Sequence, residues 1–484
     1  MSCNTKGVVI MVKKNLFING DWVEAAEYTE LRSPYSSEVI AEIPKANIEE
    51  VEAALVAADA ARETMANLPL YKRAIILEKL ASLLEARAEE AAELIALEAA
   101  KPITTAKAEV QRTIQTYKFA AEEAKRIHGE TIPVDAAPGG DGRIAYTVRE
   151  PLGIVAAITP FNFPMNLVAH KVGPAIASGN TVVLKPASQT PLTSYFIGEL
   201  LAEAGLPKGA LNIVTGAGSL IGNKLVTDNR VKKISFTGSP AVGIGIRNQA
   251  GLKKVTLELG SNAAVIIDEN VNIDKLIPRV VSGAFAFQGQ VCISVQRIYV
   301  HEKMYDLFVD KFVAATKELK LGDPLDPTTD VSALISPQDV KRTLSWIEEA
   351  KGQGAIIATG GESEGNILQP TVLLNVKPEQ KVSCQEVFAP IVSIMKFTSI
   401  QEAFDQVNDS KYGLQAGIYT DNIHIALQAT QKLHVGGVII NDIPTFRLDH
   451  LPYGGVKESG MGREGLKYAI EEMTEMKLVV INQN

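Results

Sequence analysis

Two kinds of hydrophobic pattern divide the chain. Between residues 77 and 95 the apolar side chains recur every three or four positions, which predicts one amphipathic helix in a mostly helical region of about 120 residues. From residue 153 five short, β-branched runs follow: GIVAAIT, TVVLKP, LNIVT, KKISFTG and KVTLELG. Helical spacing separates them, as in SYFIGELLAEAG. This alternation predicts a parallel sheet with crossover helices, covered on both faces.

A second alternation of strand and helix patterns begins after residue 260. It includes VQRIYVHE, IVSIMKF, LQAGIYT and GGVIIND, with helical segments near 303–320 and 337–351. We therefore expect a second α/β unit. Two extended segments, residues 142–151 and 476–482, fit neither unit. Paired with each other or with another subunit, they would form a small bridging sheet. The Asn-Gly pair in LFINGDWV predicts an early hairpin.

The composition narrows the class of protein. A chain of 484 residues is too long for one core, and its net charge of −8 provides no basic surface for nucleic acid or anionic membranes. No apolar run approaches the roughly 18 residues of a membrane helix. Three cysteines without zinc spacing predict neither a disulfide framework nor a metal site, and they favour a cytoplasmic setting. Met11 is a candidate start that follows a ragged tail.

Two glycine-bearing turns are candidates for phosphate binding. VTGAGSLIG places Gly216, Gly218 and Gly222 between a strand and a helix, but isoleucine stands where a third fingerprint glycine belongs. In FTGSPAVG, Gly238 and Gly243 flank a turn in which Ser239 is expected to cap a helix that begins at a proline. Such a helix N-terminus can bind phosphate through free N–H groups. Neither turn decides the question alone.

The order of several short motifs is more specific than any one of them. TPFNFP (159–164), KPAS (185–188), FTGSPAVG (236–243), LELGS (257–261), GQVC (289–292), EVFAP (386–390) and PYGGVKESGMGREG (452–465) follow one another. From about Leu16 to the C-terminus, the chain resembles the aldehyde dehydrogenase superfamily, in particular its lactaldehyde, succinate-semialdehyde and glyceraldehyde-3-phosphate dehydrogenase branch.

The resemblance implies a fold and an assembly. We expect an α/β protein with a Rossmann-like, five-stranded parallel cofactor domain made of residues 11–120 and 151–258. A second α/β domain, residues 259–450, would be catalytic. A small bridging β-element, residues 121–150 and 470–484, would join subunits into a homodimer or homotetramer.

The resemblance also implies three catalytic residues. Cys292 matches the nucleophile that forms a thiohemiacetal and then a thioester with an aldehyde. Glu258 matches the general base that activates water, and Asn162 matches the amide that stabilises the oxyanion. From the residues alone, Cys292 could equally be a buried filler, Glu258 a strand-face carboxylate and Asn162 a turn residue.

A set of cofactor-binding residues follows from the same motifs. Lys185 resembles the lysine at the adenosine ribose, Glu386 the carboxylate at the nicotinamide ribose, and Phe388 the ring beside the nicotinamide. The motifs add further candidates, namely Thr159, Pro160, Phe161, Gly238, Ser239, Gly243 and Leu259. Ser188 stands where NAD-preferring relatives carry a glutamate that repels a 2′-phosphate. We therefore expect NADP or NAD as cofactor, with NADP favoured.

The substrate is the least determined feature. Arg112 and Arg447 are candidate contacts for a short polar or anionic aldehyde of the lactaldehyde, succinate-semialdehyde or glyceraldehyde-3-phosphate type, although Arg112 could be an ordinary helix-surface arginine. Two alternatives to hydrolytic oxidation are an acyl-transferring enzyme that forms a coenzyme A thioester and a non-catalytic structural relative. Glu258 argues against the first. Ser261 replaces a glycine of the family motif, which raises the question of a shifted turn near Glu258.

Overall fold

The computed structural model describes residues 12–483. The predictions for Cys3 and for a start at Met11 lie outside the described residues. Before residue 48 the chain forms short strands, so the predicted helical region begins later than expected; they are Val12–Lys13, Leu16–Ile18, Asp21–Val23, Tyr28–Arg32 and Val39–Pro44. The predicted hairpin is present, because Leu16 pairs with Val23 around Asn19 and Gly20, whose φ angles are 55° and 78°.

Five helices follow these strands and contribute buried side chains to the hydrophobic core. They are Ile48–Ala60, Arg62–Asn67, Leu70–Ala86, Ala88–Ala99 and Ile103–Ala124. The stripe predicted as one helix over residues 77–95 is therefore two helices, and that prediction is wrong. The break falls at Arg87, whose guanidinium binds Glu90 and Glu199. The apolar stripe continues across it, since Leu84 and Ala91 are both fully buried.

The first large sheet contains the five predicted parallel strands and three more. Its order is Gly460–Met461, Lys254–Glu258, Val231–Thr237, Ile154–Ile158, Thr181–Lys185, Leu211–Ile213, Leu16–Ile18 and Asp21–Val23. The helices between the five parallel strands are Asn166–Ala177, Leu192–Ala204, Gly218–Thr227 and Pro240–Gln249. Antiparallel edge strands extend the sheet to eight strands. The carboxyl ends of the parallel strands meet at one edge, where ligands of such sheets bind.

A seven-stranded sheet forms the second α/β unit. Its order is Ile356–Thr359, Thr371–Leu374, Ile391–Phe397, Arg297–His301, Ala264–Ile267, Gln415–Tyr419 and Gly437–Ile440. Only the first of these strands is antiparallel to its neighbour. The helices of this part of the chain are Ile273–Phe285, Glu302–Lys317, Pro337–Gly352, Lys381–Cys384, Ile400–Asn408, Ile423–Lys432 and Leu466–Glu472.

A small three-stranded sheet joins the two extended segments. Thr474–Asn482 pairs antiparallel with Arg143–Pro151, which also pairs with Thr131–Ile132. Of the two predicted arrangements, the segments therefore pair with each other. The sheet leaves large apolar side chains exposed, among them Ile144, Leu478 and Val480. No helix among residues 12–483 is long and apolar enough to cross a membrane. The domain boundaries and the cytoplasmic setting stay predictions.

Candidate active site

Cys292 lies in a loop whose backbone is unusual. It follows the short 3-10 turn Ala286–Gly289, in which three consecutive residues, Phe287, Gln288 and Gly289, have φ angles of 49°, 56° and 69°. Left-handed conformations are rare outside glycine and persist where the surroundings enforce them. The Gln288 amide donates to two backbone carbonyls at 2.9 and 2.8 Å, which anchors the turn. The chain thus presents this thiol from a rigid loop.

The three predicted catalytic side chains share one cavity of about 190 Å³. Cys292, Glu258 and Asn162 line it, together with Arg112 and Arg447. The half-buried Cys292 also lines a second, adjacent cleft of about 410 Å³. Its sulfur therefore stands where the two spaces meet. Cys384, the other described cysteine, lines neither space.

The surroundings of Cys292 favour the neutral thiol in the free protein. Burial raises the pKa of Cys292, and the nearby carboxyl groups of Glu386 and Glu258 raise it further. Arg447 acts in the opposite direction. The sequence revealed no cation near this thiol, whereas the fold brings one from 155 residues away in the chain, as the numbers of the two residues show.

Glu258 ends the strand Lys254–Glu258 at the carboxyl edge of the first sheet. Its side chain is buried, and neither carboxyl oxygen has a hydrogen-bond partner among the described residues. Burial raises the pKa of Glu258 well above its usual value, and the neighbouring Glu464 adds to the rise. The glycine at 454 allows this crowding, because a Cβ there would lie 2.9 Å from the carboxyl Oε1. A carboxyl group with a raised pKa and unpaired oxygens suits the transfer of a proton from water.

Asn162 is held on both sides. Its Nδ2 donates to the Gln290 carbonyl at 3.0 Å, and its Oδ1 accepts from the Phe163 N–H at 3.1 Å. Its own carbonyl accepts from Lys101 Nζ at 2.6 Å. Lys101 is completely buried and forms an ion pair with the equally buried Glu109. The sequence interpretation missed both of these residues.

The Lys101–Glu109 pair braces the segment that carries Asn162. Oε1 of Glu109 accepts from the backbone N–H groups of Met165 and Asn166 at 3.0 and 3.2 Å. Lys101 Nζ also lies 3.8 Å from the centroid of the Phe163 ring. Buried charges are tolerated when they are paired and hydrogen-bonded, as they are here.

The adjacent cleft contains six of the residues predicted to bind a cofactor: Pro160, Phe161, Gly238, Ser239, Glu386 and Phe388. The Phe161 and Phe388 rings meet edge to face with centroids 5.7 Å apart. Glu386 accepts from the Ser261 N–H at 2.9 Å, and burial raises its pKa to about 7. A Cβ at position 260 would lie 2.4 Å from Glu386, so the carboxyl group needs glycine there.

Ser261 does not disturb this arrangement. Neither Ser261 nor the preceding glycine has a positive φ, so a side chain at 261 imposes no backbone strain. The serine N–H still supplies the hydrogen bond to Glu386. Serine in place of glycine at position 261 is therefore compatible with the backbone of this turn in the free protein.

The turn in FTGSPAVG borders the cleft through Gly238 and Ser239. Ser239 occupies the N-cap position of the helix Pro240–Gln249, but its side chain makes no capping hydrogen bond, so that expected contact is wrong. The backbone already satisfies one donor, since Gly238 N–H donates to the Glu258 carbonyl at 3.0 Å. Gly243 permits close packing, because a Cβ there would lie 2.4 Å from the Leu259 side chain.

The turn in VTGAGSLIG lies beside Lys185. Gly216 has a φ of 139°, and the helix Gly218–Thr227 begins two residues later. A Cβ at position 218 would lie 3.8 Å from Cε of Lys185. Burial lowers the pKa of this lysine, whose Nζ donates to the Pro186 carbonyl at 3.0 Å. Exposed Ser188 donates weakly to the Gly216 carbonyl at 3.4 Å, which places it at the same turn.

Thr159 connects the two neighbouring strand ends. Its N–H donates to the Lys185 carbonyl at 3.2 Å, while its buried hydroxyl has no partner among the described residues. It lines neither of the two spaces. Thr159, although predicted to bind the cofactor, therefore contacts the neighbouring strand end and does not line the cleft in the free protein.

The two predicted arginines both line the cavity and both have carboxylate partners. Arg112 forms a two-pronged contact with Asp449, with distances of 3.1 and 2.7 Å. Arg447 donates to Glu464 at 2.9 Å and lies over the Tyr453 ring, 3.7 Å from its centroid. Arg112 belongs to the helix Ile103–Ala124, and its side chain, which is 32% exposed, is held at the cavity wall by Asp449.

Comparison with known proteins supports the same class. The model of the aldehyde dehydrogenase family matches residues 22–479, and the chain belongs to this family. It is 47% identical to 3-sulfolactaldehyde dehydrogenase of Priestia megaterium over 96% of this chain and 98% of that protein. It is 43% identical to lactaldehyde dehydrogenase of Methanococcus aeolicus over 96% of this chain and 100% of that protein.

Solved structures agree with the fold. Aldehyde dehydrogenase 21 from Physcomitrella patens, in complex with the reaction product succinate, has a TM-score of 0.96 and 40% identity over 98% of this chain and 99% of that chain. Glyceraldehyde-3-phosphate dehydrogenase GapN from Methanocaldococcus jannaschii, complexed with NADP, has a TM-score of 0.91 and 40% identity over 94% of this chain and 100% of that chain.

These comparisons establish the chain as an aldehyde dehydrogenase. The alternative of a non-catalytic structural relative is therefore set aside. The cleft beside Cys292 fits a nicotinamide cofactor, because it offers a half-buried carboxyl group at Glu386 and two aromatic rings beside a helix N-terminus. No group of three His, Cys, Asp or Glu side chains among residues 12–483 is arranged to hold a metal ion.

Proposed function

We propose that the enzyme oxidises a short, negatively charged aldehyde to its carboxylic acid, with NADP as the preferred cofactor and NAD as a usable second. One observation carries this proposal. The thiol of Cys292 and the carboxyl group of Glu258 share a small cavity with two guanidinium groups, those of Arg112 and Arg447.

The reaction begins with addition of the Cys292 sulfur to the aldehyde carbon. A C–S bond forms, the carbonyl oxygen becomes an oxyanion, and the thiol proton passes to a base. Asn162 Nδ2, which donates to the Gln290 carbonyl in the free protein, turns to the oxyanion, and the Cys292 backbone N–H completes the pair of donors. The oxidised nicotinamide supplies, when bound, the acceptor for the hydride that leaves the same carbon. Cys292 is then left as a thioester.

Hydrolysis of that thioester requires an activated water molecule. Glu258 accepts a proton from the water as its oxygen attacks the acyl carbon, and the C–S bond breaks to release the carboxylic acid and the thiolate. The carboxyl oxygens of Glu258 have no hydrogen-bond partner among the described residues, and its raised pKa makes it a stronger base than an ordinary carboxylate, which supports this role. A general base of this kind contributes typically about 10²–10⁴-fold to a rate.

The preference for NADP rests on Ser188. This side chain is neutral and exposed at the turn that also holds Lys185 and Gly216. Residue 188 is thus not a carboxylate that would repel a 2′-phosphate, and the loss of a repulsive group at this position is enough to admit the phosphorylated cofactor. The solved structure of the relative from Methanocaldococcus jannaschii contains NADP, which agrees with this choice.

The class of substrate rests on the two arginines. A guanidinium binds a carboxylate, sulfonate or phosphate through paired hydrogen bonds. Nε of Arg447 is buried, lies 3.9 Å from Asp449 Oδ1 and has no hydrogen-bond partner among the described residues, so one donor remains for a ligand. The name of one relative, 3-sulfolactaldehyde dehydrogenase, and the succinate bound to another support an anionic aldehyde. The relatives named lactaldehyde dehydrogenase point to a small, uncharged hydroxyaldehyde, so they support the size of the substrate and not its charge.

A kinetic panel tests the proposal. Succinate semialdehyde, 3-sulfolactaldehyde, lactaldehyde, glyceraldehyde 3-phosphate and propanal are offered with NADP and with NAD, each with and without coenzyme A. We expect the highest kcat/KM with NADP and an anionic aldehyde, and no effect of coenzyme A. Propanal as the best substrate would contradict the substrate class, and acyl-coenzyme A as the product would favour the acyl-transfer alternative. Cys292→Ala serves as the inactive control.

A further inference from the structure

The two proposed oxyanion donors come from separate segments of the chain. One is the backbone N–H of Cys292, and the other is Nδ2 of Asn162, which follows the strand Ile154–Ile158. In the free protein the segments are joined directly, because Asn162 Nδ2 donates to the Gln290 carbonyl at 3.0 Å. That hydrogen bond is lost when the amide turns to the oxyanion. The distance between the two donors during the reaction therefore depends on other contacts.

Gln288 supplies such a contact from the turn Ala286–Gly289. Its side chain is fully buried, and its Nε2 donates to the Ala100 carbonyl at 2.9 Å and to the Ala333 carbonyl at 2.8 Å. Both amide hydrogens are thereby used, whereas Oε1 has no partner among the described residues. The amide therefore acts here only as a donor.

The bond to Ala100 connects this turn to the support of Asn162. Lys101, which directly follows Ala100, donates from Nζ to the Asn162 carbonyl at 2.6 Å. Lys101 is itself fully buried, so this contact is shielded from water. Two hydrogen bonds and one step along the chain thus join Gln288 to Asn162.

Backbone strain collects at both ends of the bond between Gln288 and Ala100. Ala100, Phe287 and Gln288 have left-handed φ angles of 49°, 49° and 56°. Such angles are uncommon for these residue types, and they persist where the surrounding contacts enforce them. The Gln288 amide thus holds two strained segments together, and we expect them to move apart when it is removed.

We infer that Gln288 is a positioning residue that keeps Asn162 Nδ2 and the Cys292 N–H at the separation that an oxyanion requires. Gln288 lines neither the cavity nor the adjacent cleft, so it acts through other residues. Oxyanion donors stabilise the transition state only when they already point to the place where the charge develops. The inference rests on the proposed function, because it assumes that both groups bind the oxyanion.

A double-mutant cycle tests the inference. Gln288→Met keeps the approximate length of the side chain and removes both donors. We expect the single-turnover rate of NADPH formation to fall at least ~10-fold, while the Kd of NADP stays within ~3-fold. In an Asn162→Ala background only one donor is left to position, so the same substitution should lower the rate no more than ~3-fold further. Equal losses in the two backgrounds, or an unchanged rate in Gln288→Met, overturn the inference.

Gln288→Glu adds a measurement that a simple loss of stability would not change. The carboxyl group has the shape of the amide, and burial between two carbonyl oxygens raises its pKa. When protonated it donates one hydrogen bond, and when ionised it donates none. At ~pH 6 we therefore expect this variant to exceed Gln288→Met at least ~3-fold in rate. A rate no higher than that of Gln288→Met at any pH between ~5.5 and 8.5 contradicts the inference. If Gln288→Met does not bind NADP, Gln288→Glu at ~pH 6 replaces it in the cycle.

Asn212→Leu is the matched control. Asn212 is equally buried, and its Nδ2 donates to the Gly209 carbonyl at 2.8 Å, outside both the cavity and the cleft. The substitution should lower stability in denaturant unfolding and leave the single-turnover rate within ~3-fold. A loss of rate as large as that in Gln288→Met would show that any buried amide has this effect, and it would overturn the inference.

The two levels of failure are distinguishable. If Asn162→Ala retains the rate of the unmodified enzyme, the proposed mechanism fails and the inference fails with it. If Asn162→Ala is slow and the losses in the cycle simply add, only the role of Gln288 is wrong.

Discussion

Lys101→Met isolates the contribution of the buried ion pair beneath Asn162. The methionine retains an apolar side chain of similar length but removes the charge opposite Glu109, which is fully buried. Removing one partner of a buried pair costs about 3–5 kcal/mol, because the other charge is left without compensation. Two backbone donors still reach Glu109, so we expect a loss of stability at the lower end of this range.

The same substitution should slow catalysis. The Asn162 carbonyl loses the donor at 2.6 Å that holds this segment in place. Complete loss of one oxyanion donor costs about 2.7–4 kcal/mol, and a displaced donor should cost less. We therefore expect kcat to fall roughly 10- to 100-fold, which is about 1.4–2.7 kcal/mol.

The double variant Lys101→Met/Glu109→Gln distinguishes the two effects. Replacing both charges should restore most of the stability, because an uncharged pair has no desolvation penalty. It should not restore kcat, since the Asn162 carbonyl still lacks its donor. Denaturant unfolding followed by fluorescence and steady-state kinetics measure the two quantities.

A surface lysine of the helix Ile103–Ala124, which also carries Glu109, provides the control. Lys107 pairs with Glu89 in solvent, where its side chain is 49% exposed, so Lys107→Met should cost no more than about 1 kcal/mol. Recovery of kcat together with stability in the double variant would refute the proposed support of Asn162. Unchanged stability in Lys101→Met would refute the energetic reasoning about the pair.

Four further outcomes are expected. Ser188→Glu should shift the kcat/KM ratio toward NAD by at least ~10-fold, and an unaltered ratio would contradict the role of Ser188. Arg447→Leu should raise KM for succinate semialdehyde far more than for propanal; equal effects would make this arginine structural. Because the pKa of Glu258 is raised, thioester hydrolysis should speed up as pH rises through that pKa, and Glu258→Gln should abolish this dependence in rapid-mixing experiments. Deleting residues 476–484 should release monomers or insoluble protein from an oligomer, whereas a native mass of one chain, 52.0 kDa, for the intact protein would refute the assembly.

The sequence predicted much of the site because the motifs lie at the ends of strands. Glu258 ends a strand of the first sheet. Asn162 follows the strand Ile154–Ile158, which is separated from the Glu258 strand by one other strand. Parallel strands bring such ends to one edge, so residues far apart in the chain meet without any knowledge of side-chain packing. The five parallel strands were predictable for the same reason, since burial on both faces leaves continuous apolar runs.

The charged supports of the site could not be predicted in this way. Arg112 and Asp449 are 337 positions apart, and Lys101 reaches the Asn162 carbonyl across 61 positions. In the sequence each has the pattern of an ordinary surface charge. One signal was present, because Lys101 follows an alanine-rich apolar stretch and precedes a proline, where a solvated lysine is less expected.

The break at Arg87 escaped prediction for a different reason. The apolar positions on either side keep the same phase, so periodicity alone describes one helix. The break lies at Arg87, whose φ and ψ of −115° and 28° are not helical, and its guanidinium binds Glu90 nearby and Glu199 on a distant helix. The second of these contacts depends on the tertiary arrangement.

The most direct test of the mechanism is the trapping of the acyl-enzyme. Glu258→Gln is mixed with NADP and succinate semialdehyde, quenched in acid and examined by intact-mass and peptide mass spectrometry. The proposed mechanism predicts a burst approaching one NADPH per active subunit and one acyl group bound to Cys292, with neither in Cys292→Ala. A variant that turns over at the unmodified rate without an adduct, or an adduct on another residue, would contradict it.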